Sequence, residues 1–178
     1  MENVFTESEL NFHFPDNAKW ERFDYSNEAG VRKPSGMRFV DLFIEEAEKF
    51  LLVEIKNPST IEAKNHSARE KFITKLEKFT DNELVSGLVE KIRDSYTFLH
   101  LMKRDEKPIT YIFLIHLEDT EKEKINFLTV KDRLLNKIKH EAKEAWKRDY
   151  VKDCAVLGIK EWNKYFPDYQ ITNSGNVL

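Results

Sequence analysis

Cysteine is nearly absent from this sequence, since Cys154 is the single cysteine among 178 residues. One cysteine excludes an intramolecular disulfide, and it fits a reducing compartment. Because Cys154 belongs to the apolar run at 154–157, we expect it to be a buried small hydrophobic residue. The sequence therefore favours a cytoplasmic protein whose one thiol packs in the core.

Long apolar runs and targeting signals are also missing. The longest apolar run, 109–117, is far too short to span a bilayer, so we expect no membrane segment. Residues 1–10 contain neither a basic stretch nor an apolar one, and the sequence predicts no signal peptide. Glycine and proline number only five each, which makes long irregular loops unexpected. Glycine-rich phosphate loops, a Gly-x-Ser-x-Gly elbow and paired histidine ligands are absent as well.

The charge balance sets a further limit on function. Charged residues make up 34% of the chain and hydrophobic residues 40%, as in a globular protein, and the length suits one domain over residues 1–178. The formal net charge of −3 argues against nucleic-acid binding through bulk charge. It leaves room for a local basic surface.

Hydrophobic periodicity predicts an α/β fold. Alternating apolar residues predict strands, and a continuous apolar run predicts a central strand covered on both faces. These segments are residues 10–14, 20–25, 38–46, 49–56, 109–117 and 153–159. Helical spacing predicts helices near residues 68–79, 85–99, 130–145 and 161–166, whereas residues 1–9 are expected to fray or to form a short helix. A strand, a helical crossover and an apolar strand in series indicate a parallel βαβ unit in a mixed sheet with helices packed on it.

The segment 37–56 carries the chemistry that the sequence offers. Its pattern predicts a β-hairpin with a two-residue turn at 47–48. In this register Asp41 lies opposite Glu54, and directly opposed side chains point to the same face with Cβ atoms about 4.5–5.5 Å apart. Lys56, two residues beyond Glu54, points to that face as well.

This hairpin face combines like charges with aromatic residues. It also holds Phe39, Phe43, Phe50 and Leu52, and the opposite face is predicted to hold Val40, Leu42, Ile44, Leu51, Val53 and Ile55. Like charges directly across a strand pair are destabilising, so we expect a cation between Asp41 and Glu54. Two carboxylates suit Mg²⁺, which prefers hard oxygen ligands. The Lys56 ammonium beside a metal-bound water would orient that water and stabilise charge at a phosphate.

A structural interpretation of the same residues stays open. Glu-x-Lys is a weak motif by itself, because alternating charges usually mark the solvated face of an amphipathic strand. Lys56 would then form an ion pair with Glu54 or Asp41 and take no part in catalysis. The opposed aspartate, the surrounding aromatics and the helix and apolar strand that follow together favour the catalytic interpretation.

The segments Arg38–Ile44 and Leu52–Asn57 resemble the motifs of the PD-(D/E)XK nuclease superfamily. In that superfamily an aspartate on one strand is followed by (D/E)-x-K on the next, then by a helix and a parallel strand. The resemblance implies a restriction-endonuclease-like mixed β-sheet flanked by helices and a metal-dependent nuclease whose expected substrate is DNA. The chain departs from the first motif in one respect, since Val40 stands where that motif has a proline.

The resemblance also implies roles for individual residues. Asp41, Glu54 and the Ile55 carbonyl would ligate Mg²⁺ or Mn²⁺, and Lys56 would assist the attacking water. Many members add an upstream acidic residue, and the candidates for it are Glu9, Glu21 and Asp24. Of these we favour Asp24, which lies in a predicted strand. Without such a residue, metal binding would be weaker and an inactive member of the superfamily becomes plausible.

Basic residues directly after the motif are the predicted substrate contacts. They lie in the loop and helix that follow Lys56 and comprise Lys64, Arg69 and Lys71. Nucleic acid is the expected partner, and a homodimer or a protein partner is also compatible with the sequence. The alternative function is a catalytically inactive domain of the same fold that binds nucleic acid or protein.

Overall fold

The computed structural model describes residues 3–24, 34–58, 66–78 and 83–173 of the chain. Its strands are β1 (Val4–Glu7), β2 (Leu10–His13), β3 (Lys19–Arg22), β4 (Leu42–Glu45), β5 (Phe50–Lys56), β6 (Ile109–Ile115), β7 (Asp153–Leu157) and β8 (Ile171–Asn173). Its helices are α1 (His66–Lys78), α2 (Glu83–Leu101), α3 (Asp119–Lys122), α4 (Phe127–Lys139) and α5 (Ile159–Tyr165). Helices separate β5, β6, β7 and β8 from one another, so the predicted α/β class is confirmed.

A five-stranded mixed sheet in the order β3-β4-β5-β6-β7 lies at the centre of the fold. β4 pairs antiparallel with β3 and β5, whereas β6 pairs parallel with β5 and β7. Parallel neighbours need a long crossover connection, and α1 and α2 lie in the connection between β5 and β6. The predicted parallel unit is therefore confirmed. A second, antiparallel sheet has the order β1-β2-β8.

Two hydrophobic clusters bury the two faces of the larger sheet. One contains Leu52 and Tyr111 together with residues of α1, α2 and α4. The other contains Leu51 and Ile112 together with residues of the small sheet and α5. Successive residues of a strand point to opposite faces, so β5 and β6 need apolar residues at nearly every position. A charged residue on β5 must therefore find its partners inside the protein.

The register of the hairpin is the one that the sequence predicts. Leu42 pairs with Val53, and the Glu46 N–H donates to the Lys49 carbonyl at 2.9 Å. These contacts require the two-residue turn at 47–48. The predicted pairing is therefore confirmed for Leu42–Glu45 with Phe50–Val53. Asp41 lies outside this ladder, and its N–H donates to the Val53 carbonyl.

The first hairpin strand is shorter than predicted, because β4 begins only at Leu42. The residues before it leave the sheet and bond to α2. The Arg38 N–H donates to Asp94 and the Val40 N–H donates to Ser95. Val40 accordingly lies in the cluster beside α2 and not with Leu42, where strict alternation predicted it.

Several other boundaries also differ from the predictions. Residues 4–7, expected to fray or to form a helix, are strand β1, which pairs with β2. The unpredicted strand β8 pairs with the other edge of β2. Helix α4 ends at Lys139, so the prediction that it continues to residue 145 is wrong. Strand β3 ends at Arg22, earlier than predicted, and residue 25 lies outside the described residues. In the part of the chain that the structure describes, no helix combines the length and the apolarity needed to cross a membrane.

Candidate functional site

Asp41 closes the irregular segment in front of β4 and is held by backbone groups on both sides. Its N–H donates to the Val53 carbonyl at 3.1 Å, and its carbonyl accepts from the Phe23 N–H at 2.8 Å. Its side-chain Oδ2 accepts from the Ile55 N–H at 2.6 Å. Because only 6% of the residue is exposed, the carboxylate is fixed in position against β5.

Glu54 lies deep in the sheet, because β5 has a neighbouring strand on each side. It is fully buried, with 0% of its surface exposed, and Lys56 Nζ lies 2.7 Å from its Oε1. Lys56 ends β5 and keeps 35% of its side chain exposed, so its ammonium reaches solvent at the carboxyl edge of the sheet. The structure thus brings together the two carboxylates and the lysine that the register placed on one face.

Lys91 on helix α2 joins the site, although the sequence analysis did not find it. Its Nζ lies 2.8 Å from both carboxylate oxygens of Glu54 and 3.3 Å from Asp41 Oδ1. The signal that could have found it is periodicity: Lys91 falls at helical spacing between Leu88 and Ser95, which are both buried in α2. A lysine in a buried helical stripe needs a carboxylate partner, and the hairpin supplies two.

The electrostatics of the site follow from its burial. Burial and the neighbouring charge of Glu54 raise the pKa of Asp41 to about 6, although Lys91, Lys56 and the Ile55 N–H act in the opposite direction. Burial also opposes the charged form of Lys91, but the attraction of Glu54 and Asp41 outweighs it, and the pKa of Lys91 is raised. The site therefore brings two acidic and two lysine side chains close together.

Another upstream acid, Glu7, is under the electrostatic influence of Asp41, although it was not among the candidates. Burial and the charge of Asp41 raise the pKa of Glu7, and its Oε2 lies 2.7 Å from the Arg22 guanidinium. The Asn57 side chain donates to the carbonyl of Ser8 at 2.7 Å, which ties the end of β1 to the end of β5. This link between two strand ends, and no feature of the local sequence, brings Glu7 to the site.

The three predicted upstream acids have other surroundings. Glu21 pairs with Arg104 at 3.1 Å, and Glu9 is exposed in the turn between β1 and β2. Asp24 lies 3.1 Å from Arg22 Nε, so it shares that guanidinium with Glu7. Asp24, the preferred candidate, is therefore linked to Glu7 through Arg22. Glu7 is the residue whose pKa the charge of Asp41 raises.

The predicted substrate contacts are placed unequally. The guanidinium of Arg69 is only 4% exposed and binds Glu121 through two nitrogens at 2.8 and 2.9 Å and Glu118 at 3.0 Å. This ion pair joins α1 to α3, so Arg69 has a structural role in the fold. Lys71 is exposed on α1, whereas Lys64 lies outside the described residues. Contact of these residues with a substrate stays a prediction.

A cavity lies at the carboxyl edge of the sheet. Its volume is about 430 Å³, and it is lined by residues that follow β6 and β7, among them His116, Lys122, Gly158 and Lys160. The His116 N–H donates to the Lys56 carbonyl at 2.9 Å, so the partly exposed lysine and the cavity share one edge. Ligands of open α/β sheets bind outside the carboxyl ends of the strands.

The carboxylates of the site converge on one cation-sized position. Asp41 and Glu54 share the Lys91 ammonium, and hard carboxylate oxygens are the ligands that Mg²⁺ prefers, so this donor pair fits a divalent ion. Within residues 3–24, 34–58, 66–78 and 83–173, no group of three or more His, Cys, Asp or Glu side chains is placed to hold a metal ion. A ligand role for the Ile55 carbonyl stays a prediction.

Comparison of the chain with protein-family models, with curated proteins and with solved structures gave no significant match. Function is therefore inferred from the residues of the site and from the order of the strands that carry them.

Proposed function

We propose that the chain is a divalent-metal-dependent nuclease with a restriction-endonuclease-like fold of the PD-(D/E)XK type. The observation that carries the proposal is that Asp41 and Glu54 both contact one cationic group, the Lys91 ammonium. Lys56 lies 2.7 Å from the same glutamate. The strand order also supports it. An antiparallel hairpin carries the acidic residues, and a helical crossover leads from it to a parallel strand.

Asp41 and Glu54 would hold Mg²⁺ or Mn²⁺ in this centre. A metal bound there lowers the pKa of a water ligand and neutralises charge on a phosphoryl oxygen. The chain's own contribution is position: the Ile55 N–H fixes the Asp41 carboxylate, and the sheet buries Glu54 completely. Lys56, half in solvent at the end of β5, would orient the attacking water and stabilise the charge that develops on the scissile phosphate.

The carboxyl edge of the sheet is the surface on which the nucleic acid would lie. Lys56 reaches solvent there, and the cavity at the same edge is lined by His116, Lys122 and Lys160 together with Glu118 and Asp119. A formal net charge of −3 for the whole chain makes such a local arrangement necessary, because phosphate binding depends on cations close to the backbone of the nucleic acid. DNA is the substrate that the proposal names.

Cleavage of DNA by the purified protein tests the proposal. Linear and supercoiled DNA should be cut in the presence of Mg²⁺ or Mn²⁺, and EDTA should stop the reaction. Lys56→Ala should abolish cleavage without unfolding the protein, because Lys56 is partly exposed and Glu54 keeps Lys91 as a partner. Lys107→Ala is the matched control, since Lys107 pairs with Glu45 at 2.9 Å at the other end of the hairpin. Equal cleavage by the wild type and Lys56→Ala would point to a contaminating enzyme and contradict the proposal.

A second candidate is an inactive domain of the same fold that binds nucleic acid or protein. The observation that favours it is charge balance, since Lys56 and Lys91 neutralise Asp41 and Glu54 without any metal. For this candidate, Mg²⁺ should leave the melting temperature unchanged. A metal that binds only the folded state at about 100 times its Kd adds about 2.7 kcal/mol of stability, so a thermal melt distinguishes the two functions.

A further inference from the structure

We infer that Lys91 competes with the divalent metal: its ammonium lies in the position between Asp41 and Glu54 and has to leave before a metal binds there. The inference rests on the proposed metal-dependent function and adds a control of that same site. Lys91 Nζ lies 2.8 Å from both oxygens of Glu54 and 3.3 Å from Asp41 Oδ1. One group therefore contacts both carboxylates that are assigned to the metal.

Charge balance makes the competition necessary. Asp41, Glu54, Lys56 and Lys91 sum to zero formal charge, so a divalent ion added to the intact group leaves two uncompensated positive charges. Like charges about 4 Å apart in a poorly solvated site repel each other by several kcal/mol. Lys56 relieves part of this repulsion easily, because its side chain is 35% exposed at the end of β5. Lys91 is only 18% exposed and lies directly between the ligands.

The structure also indicates which part of Lys91 moves. Helix α2 is attached to the segment before Asp41 by two hydrogen bonds, from the Arg38 N–H to Asp94 at 2.9 Å and from the Val40 N–H to Ser95 at 3.1 Å. These bonds hold the helix backbone beside the site. The exchange therefore involves the four-carbon side chain of Lys91, which is flexible, and it needs no change of fold.

The competition lowers the apparent metal affinity of the wild-type protein. When a binding site is open in only a fraction of the molecules, the apparent Kd is the intrinsic Kd divided by that fraction. Removing the ammonium while keeping an unbranched apolar side chain should therefore strengthen metal binding. Lys91→Met makes this change, and the methionine side chain retains packing along the stem of the lysine.

Isothermal titration calorimetry with Mn²⁺ tests the inference on three proteins: the wild type, Lys91→Met and Lys107→Met. Lys107 is the matched control, because it is 25% exposed and neutralises a carboxylate of the same hairpin, Glu45, away from the site. We expect Lys91→Met to bind Mn²⁺ at least about tenfold more tightly than the wild type, a difference of about 1.4 kcal/mol. Lys107→Met should bind like the wild type. Binding by Lys91→Met alone would support the competition and contradict metal-dependent activity of the wild type, because the wild-type ammonium would then block the site fully.

Two outcomes separate failure of this inference from failure of the proposed function. If the wild type binds Mn²⁺ and Lys91→Met binds it equally or more weakly, Lys91 does not compete, while the metal site stands. If a folded Lys91→Met and the wild type both fail to bind, the proposed metal site is wrong and the inference falls with it.

A measurement on the wild-type protein covers the case in which Lys91→Met does not fold. Amine-reactive labelling followed by mass spectrometry reports how accessible each lysine is. Mn²⁺ should increase the labelling of Lys91 and leave that of Lys107 unchanged, because the displaced ammonium enters solvent. Unchanged labelling of Lys91 at a Mn²⁺ concentration that raises the melting temperature would overturn the inference.

Discussion

Replacing Asp41 with asparagine should stabilise the metal-free protein at neutral pH, although it changes a buried polar residue. Burial and the charge of Glu54 raise the pKa of Asp41 to about 6. Folding at pH 7 therefore forces this carboxylate into a place where its charged form is disfavoured. Asparagine removes the charge and keeps an oxygen that can accept the hydrogen bond from the Ile55 N–H.

The sign and the size follow from the pKa in the two states. Because the folded-state pKa is the higher one, the protonated carboxyl favours folding below about pH 4, and this contribution is lost as the pH rises through about 6. The difference between the pKa of Asp41 in the folded state and in the unfolded state lowers the free energy of unfolding by about 3 kcal/mol at pH 7. The asparagine amide then faces Lys91, 3.3 Å from Asp41 Oδ1 in the wild type, and this mismatch costs about 1 kcal/mol. The expected net gain is about 2 kcal/mol.

Urea unfolding in EDTA, repeated near pH 4 and pH 7, measures this difference. The advantage of Asp41→Asn should be largest near pH 7 and should shrink toward pH 4, where the folded wild-type carboxyl is protonated and the unfolded one is about half protonated. Asp105→Asn is the control of opposite sign. The hydrogen bond from His100 lowers the pKa of Asp105. The Asp105 carboxylate therefore stabilises the folded protein above its unfolded-state pKa, and this stabilisation is lost as the pH falls. An Asp41→Asn protein less stable than the wild type at both pH values would refute the reasoning.

The remaining predictions concern the upstream acid and the anchoring of α2. Asp41→Asn removes a charge that raises the pKa of Glu7, so it should lower the pKa of Glu7 in an NMR titration; an unchanged value would place Glu7 outside the site. Ser95→Ala leaves the buried Val40 N–H without its acceptor and should cost about 1–3 kcal/mol in chemical unfolding. Thr97→Ala is its control and should cost less, because the Thr97 hydroxyl donates only to a carbonyl of its own helix.

Local patterns in the sequence predicted the elements that carry the site. The hairpin register followed from the turn at 47–48 and from period-two alternation, and the pairing of Leu42 with Val53 confirmed it. The apolar run at 109–117 predicted a strand covered on both faces, and β6 (Ile109–Ile115) is the strand between β5 and β7. The short strands β1 and β8 were missed, because neither Val4–Glu7 nor Ile171–Asn173 alternates between apolar and polar residues.

The sequence by itself thus determined the hairpin, its register and the meeting of Asp41 with Glu54 and Lys56, because Asp41 directly precedes β4 and the other two residues lie on its partner strand β5. Tertiary structure alone decided that Lys91 lies between the carboxylates, that Glu7 approaches Asp41 and that Arg69 binds Glu121. Lys91 reaches Glu54 from a helix 37 residues away in sequence. Such contacts depend on how a helix is rotated and placed on the sheet, which is set by packing between distant elements and not by local spacing.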